Sequence, residues 1–366
     1  MIRLPRNAQL WLPGYIKSRA RRIFTRPPAG QGRVWLAIAD HYEPYYQRPD
    51  DATARARVAL WTKYWPEIAR RHTDSAGRHP KYNFFYPQEE YRPELLDALA
   101  EFRAAGTGEV EIHIHHDGEG EQDFIDRMSG FIEALHERHG LLRKRGGRIQ
   151  FGFIHGNWAL DNSRPDGRWC GLNNEITLLR DLGCYADFTM PSGSSPTQAR
   201  TVNTIYWATD DPMRPRSYDY GEAIRPGRSS SGDLLMIPGP FCLRWRRGLP
   251  PRMDSGEIAS YDPPSAYRVK RWLDTAPGIG NDIFIKLYTH GTQERHSTEL
   301  LLNGGLDRLF RFTAEVCRGR GYQYFFCSTW EMRLAVEAAW KEDTAAIIQN
   351  QEDCNGRQIV SRGITE

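Results

Sequence analysis

Cysteine is scarce and unpatterned in this chain: Cys170, Cys184, Cys242, Cys317, Cys327 and Cys354 are scattered, with no Cys-x-x-Cys pair. That spacing speaks against a zinc ribbon or a disulfide framework, and reduced thiols in a cytoplasmic protein are expected. Long apolar runs are missing as well, since none approaches the ~18–20 residues that a membrane-spanning helix needs. Charge of one sign is also lacking: 49 basic against 46 acidic residues leave +3. So small a balance gives no general attraction to nucleic acid, and no such partner is expected. There is no internal repeat of roughly 20–50 residues, which argues against a solenoid.

What remains is a chain of 366 residues, 40% of them apolar, enough for one large core. Residues 1–32 form a basic arm with Arg3, Arg6, Lys17, Arg19, Arg21, Arg22 and Arg26 and no acidic residue. Its apolar stretch, Leu10-Trp11-Leu12, is broken by Pro13-Gly14 and is too short for a secretory core. Two readings stand for this arm: an extension packed on the domain, or a contact with an anionic membrane surface. A cytoplasmic protein, peripheral to the membrane in the second case, is expected.

From residue 33 to 340, short apolar runs alternate with helical patterns. The runs are Val34–Ile38, Tyr82–Tyr86, Val110–Ile114, Ile149–Ile154, Leu234–Ile237, Ile283–Leu287 and Tyr322–Phe326. Each has strand length and is stopped by Pro, Gly or a polar cluster. Helical periodicity covers 54–72, 93–105, 124–142, 175–182 and 300–318, with a further stretch around 330–340. Strand then helix, repeated about seven times, predicts an irregular (β/α)7-type barrel of mostly parallel strands. Residues 191–231 read as an excursion over one face, and 341–366 as a polar tail.

Catalytic groups of such folds gather at the C-terminal ends of the strands. Here the runs end in Asp40-His41-Tyr42-Glu43, His113-Ile114-His115-His116-Asp117, His155-Gly156-Asn157-Trp158 and Thr289-His290-Gly291. Six of the 11 histidines sit at these ends, so a hydrolytic metal site on one rim is expected. Residues two apart share a strand face, which lets His113 and His115 aim at one centre. Imidazole with carboxylate suits zinc or another first-row divalent ion. Asp117 either joins the ligands or orients a ring, and His116 points the other way.

In motif order from about Val34 to Trp330, the pattern resembles the polysaccharide deacetylase superfamily, the nodulation-type carbohydrate esterases. Ala37-Ile38-Ala39-Asp40-His41 stands where that family has Thr-Phe-Asp-Asp-Gly. Asp40 then matches the metal-binding Asp and Ala39 the general base. A shift of one residue instead makes Asp40 the base and His41 the ligand. Phe84-Phe85-Tyr86-Pro87 resembles the second strand, and Glu109-Val110-Glu111-Ile112-His113 the third motif. The histidine expected four residues later is Asp117, so His115 or Asp117 supplies the missing ligand. Phe153-Ile154-His155-Gly156-Asn157-Trp158 lacks the family's arginine. Leu178 to Asp187 and Met236-Ile237-Pro238 resemble the following segments, and Leu287-Tyr288-Thr289-His290 resembles the last motif.

The resemblance implies a metal-dependent hydrolase that removes acetyl groups from N-acetylated or O-acetylated sugar polymers, exopolysaccharides among them, or from their precursors. It implies a divalent ion, zinc foremost, held by Asp40, His113, His115 and Asp117. His290 is the expected general acid, Glu43 the substitute base, and His155 an orienting or oxyanion group in place of the arginine. Other readings are a metallohydrolase cleaving another amide or a glycosidic bond, and an inactive carbohydrate-binding relic.

Overall fold

The computed structural model describes residues 4–246 and 249–343. The tail expected from residue 341 therefore lies, after Asp343, outside the described residues, as does Cys354. The strands are β1 (Arg33–His41), β2 (Tyr82–Pro87), β3 (Gly108–Ile114), β4 (Arg143–Arg145), β5 (Arg148–His155), β6 (Cys184–Asp187) and β7 (Tyr206–Ala208). They continue with β8 (Gly221–Ala223), β9 (Leu234–Met236), β10 (Cys242–Arg246), β11 (Leu249–Asp254), β12 (Gly278–Ile279), β13 (Asp282–Thr289) and β14 (Gln323–Phe326). The α-helices are α1 (Ala8–Thr25), α2 (Asp51–Arg70), α3 (Pro93–Ala104), α4 (Glu121–Glu133) and α5 (Glu175–Leu182). After these come α6 (Ala266–Thr275), α7 (Glu294–Ser297), α8 (Gly305–Arg318) and α9 (Thr329–Lys341).

All seven apolar runs are strands. They belong to one large sheet of order β12-β13-β1-β2-β3-β5-β6-β9-β7-β8, with β14 on β1 and β4 on β5. From β13 to β9 every step is parallel. The segment 191–231 supplies β7 and β8, which continue the sheet antiparallel beyond β9. The strands β10 and β11 pair antiparallel as a separate two-stranded sheet.

A parallel sheet covered on both sides needs strands that are apolar on both faces. In β1, Val34, Leu36 and Ile38 face a cluster shared with Trp61 and Trp65 of α2, Leu96 of α3 and Phe310 of α8. Trp35, Ala37 and Ala39 face a second cluster with Phe85, Ile154, Phe188, Phe284 and, from α9, Met332 and Val336. Each fully buried Val, Leu, Ile, Phe or Met among these contributes roughly 1.5–3 kcal/mol.

The second cluster lies inside a curl of the sheet. Lys286 of β13 donates through Nζ to the carbonyl of Phe188, just after β6, at 2.7 Å. Those strands are five steps apart in the order, a separation of about 24 Å in a flat sheet at ~4.8 Å per step. A lysine spans that gap only if the sheet bends round to face itself. The hydrogen-bonded order nonetheless does not close into a ring among the described residues.

The basic arm is a helix laid on the domain. Trp11 and Tyr15 of α1 pack with Val202 and Phe241, while Arg19 donates to the Asp274 carbonyl and Arg21 to Thr204. Ile16, Ile23 and Phe24 stay exposed. No described helix is long and apolar enough to cross a membrane.

Candidate metal centre

Strand alternation sorts the rim residues into two groups on opposite faces of the sheet. His41 continues the inward series Trp35, Ala37, Ala39, and His290 follows Phe284, Lys286 and Tyr288 of β13. His113 and His115 alternate with Val110, Ile112 and Ile114, which face the helices. Asp40, His116 and His155 fall on the helix-facing side, in phase with Ile38, Ile114 and Phe153.

On the inner side, Glu43 is shared by two overlapping groups of imidazoles. Its carboxylate and one ring nitrogen each of His113 and His115 lie within 4.8 Å of one another, and the same holds for Glu43, His41 and His290. His113 is fully buried, and its Nδ1 donates to the Ile154 carbonyl at 2.8 Å, which leaves Nε2 facing Glu43 Oε1 at 3.3 Å. His115 Nδ1 donates to Glu89 Oε1 at 2.5 Å, with Nε2 3.7 Å from Glu43 Oε1. Both rings thus have one nitrogen fixed by an acceptor and the other aimed at a carboxylate. Metal-ligating histidines are oriented in this way.

Two glycines permit the close packing. A Cβ on Gly156 would stand 2.6 Å from the Ile114 carbonyl and 2.4 Å from the His115 ring, so only glycine lets β5 end beside β3 here. A Cβ on Gly291 would stand 2.2 Å from Asp40 Oδ2 and 2.6 Å from Trp61.

Burial pushes the Glu43 carboxyl up, but the surrounding imidazoles, His113 foremost, outweigh it and hold the group down to about 2. Burial lowers His290 to about 4 against the opposing pull of Glu43. His41 is lowered well below the usual histidine range, by burial first and then by the neighbouring His290 and His113. For His115, burial acts downward, yet the Glu89 hydrogen bond and charge raise it overall. At neutral pH the cluster therefore offers an ionised carboxylate and, in His41 and His290, neutral rings with lone pairs.

No family model matches this chain, and neither does any curated protein.

Of the residues expected at the site, the structure brings together Glu43, His113, His115 and His290, with His41, the alternative to Asp40, among them. Asp40 is placed otherwise. Its Oδ1 accepts from the Gly291 backbone N–H at 2.7 Å and its Oδ2 from the Tyr82 hydroxyl at 2.9 Å, on the helix-facing side. Since Gly291 follows His290, Asp40 anchors the turn that presents His290. Asp117 is exposed and accepts from the Trp169 backbone N–H at 2.7 Å. His155 is fully buried on the helix-facing side, with Nε2 2.9 Å from His116 Nε2.

That arrangement gives a direct test of Asp40. Asp40→Asn keeps an acceptor for Gly291 and should cost about 1 kcal/mol of stability, the net worth of one altered hydrogen bond. Metal stoichiometry should not change. Loss of metal from this variant would return Asp40 to the ligand set.

Glu89 was not expected at the site. It follows Pro87 in a short 3-10 turn at the end of β2, the one rim position between β1 and β5 that carries no histidine. Trp158 lies beside His41, Tyr288 and His290, with ring centroids 5.5, 6.2 and 5.9 Å away, and its buried indole N–H has no protein partner.

Proposed function

We propose that the chain is a metal-dependent hydrolase of the polysaccharide deacetylase kind, removing acetyl groups from N-acetylated or O-acetylated sugars. The observation that carries this reading is the pair His113 and His115, each with Nδ1 fixed by an acceptor and Nε2 turned to Glu43. The ligand set is then Glu43, His113 and His115, whose nitrogen and oxygen donors fit zinc. A bound divalent ion supplies a Lewis acid that lowers the pKa of water and polarises the acetyl carbonyl.

The protein's own groups do the rest. Glu89 fixes the tautomer of His115, and Ile154 that of His113. His290, neutral at working pH, takes up at its ring nitrogen the proton lost by the attacking water and passes it to the departing amine or alcohol. Trp158 packs against His41, Tyr288 and His290 and shields them from water. The curl of the sheet is read as the seven-strand barrel of that family, with Ala39 in the place of its base and no arginine after β5. The free, buried cysteines among the described residues suit a reducing cytoplasm. The basic face and exposed Ile16, Ile23 and Phe24 of α1 suit peripheral contact with an anionic membrane.

The assay is acetate release from N-acetylated oligosaccharides, before and after chelation and on restoring zinc. Acetate should appear, vanish with chelator and return with zinc. Reducing ends without acetate would indicate a glycosidase, and chelator-resistant release would remove the metal from the mechanism.

A further inference from the structure

We propose a second, structural zinc site on the helix-facing side of the sheet, formed by His116, His155, Cys170 and Glu175. All four are buried, and one donor atom from each lies within 4.8 Å of the others. His116 Nε2, His155 Nε2 and Glu175 Oε1 form a triangle with sides of 2.9, 3.0 and 3.3 Å. A tetrahedron of nitrogen and oxygen donors at ~2.0–2.1 Å from zinc has edges of about 3.3–3.4 Å, so the triangle needs to open by only a few tenths of an ångström. Cys170 Sγ stands 3.3 Å from Glu175 Oε2 and completes two nitrogens, one oxygen and one sulfur.

The surrounding hydrogen bonds prepare each donor. His155 Nδ1 donates to the Gly156 carbonyl at 2.5 Å, which leaves Nε2 as a lone pair. His116 Nδ1 makes no hydrogen bond within the protein and stands 3.5 Å from Glu119 Oε2, a carboxylate placed to orient the ring. Cys170 Sγ accepts backbone N–H bonds from Asn162 at 3.2 Å and Leu172 at 3.4 Å, which would support a metal-bound thiolate, whereas burial and the Glu175 carboxylate push the free thiol up and keep it protonated. Glu175 Oε2 accepts from the Asp161 N–H at 2.6 Å, leaving Oε1 toward the two rings.

Without a cation, this pocket holds two facing Nε2 atoms and a carboxylate oxygen. A single proton on His116 Nε2 serves one of its two acceptors and leaves the other lone pair buried and unpaired. A zinc ion satisfies all the donors at once. Four protein ligands leave no position for substrate, which marks the site as structural. It fastens the ends of β3 and β5 to the first turn of α5 and to the loop that starts beside Trp158. It therefore holds one wall of the inner site without touching substrate.

Cobalt decides the question, because the inner cluster contains no sulfur. The full-length protein, stripped of metal and reloaded with Co(II), should show a thiolate-to-cobalt charge-transfer band in the near ultraviolet. Zinc stoichiometry should fall from two per chain to one in Cys170→Ser, with loss of that band, whereas His113→Ala should keep it. Absence of the band from cobalt-loaded wild type, or its survival in Cys170→Ser, would overturn the site. If Cys170→Ser does not fold, the wild-type spectrum decides alone. A protein that shows the band but releases no acetate retains this site and loses only the hydrolase assignment.

Discussion

His113→Ala should lose one metal equivalent and at least ~10³-fold in turnover, while the protein stays folded. The ring is fully buried, and both its nitrogens are committed, Nδ1 to Ile154 and Nε2 to the Glu43 side. Truncation removes a donor from a set of three, and the two left cannot hold the ion tightly. A Lewis acid at a developing oxyanion contributes several kcal/mol to the barrier, and each ~1.4 kcal/mol is tenfold in rate. The fold loses much less. One carbonyl, that of Ile154, is left without its donor, a cost of about 1–3 kcal/mol, whereas the apolar clusters on both faces are intact. Metal content, turnover and thermal unfolding, measured on the same preparation, separate these effects. Undiminished turnover in a variant shown to lack the ion would refute the metal mechanism. Loss of the whole fold would show that the histidine supports structure first.

Apart from α1, read only as a basic arm, the large elements were legible because their physics is local. Runs such as Val34–Ile38 and Ile283–Leu287 are bounded by breakers, and the helices between them keep apolar residues three and four apart. Elements that missed these signals are short or polar: β6 has four residues, and α6 carries its apolar positions among Arg268, Lys270 and Arg271. The pairing of His113 with His115 also followed from alternation alone. The choice between Asp40 and His41 did not, because β1 is apolar on both faces and neither parity announces itself as inward. Only the curl, with Lys286 reaching Phe188, makes one face the inside. The nearness of Cys170 to His116 was equally hidden. It depends on a loop in which Asn157, Trp158, Asp161, Asn162 and Trp169 all take left-handed backbone conformations that side chains rarely adopt and sequence does not signal.

His290→Ala should keep its metal and lose roughly 10²–10⁴-fold in rate, the worth of a positioned proton-transfer group. His290 groups with Glu43 and His41, not with the Glu43, His113 and His115 group, so its removal leaves the proposed ligand set complete. Burial lowers its pKa to about 4, so at neutral pH it accepts a proton before it can donate one. The sign of the pH effect follows. As pH falls through that value the ring of the free enzyme becomes protonated, the acceptor is lost, and turnover should fall on the acid side. In His290→Ala this acid limb should vanish along with most of the rate. An acetyl ester with a good leaving group should recover part of the activity, because its departing oxygen needs little protonation, whereas an N-acetyl sugar should not. If the variant comes out short of one metal equivalent, His290 is a ligand, and His41, 4.8 Å away between ring centroids, is the next group to test for proton transfer.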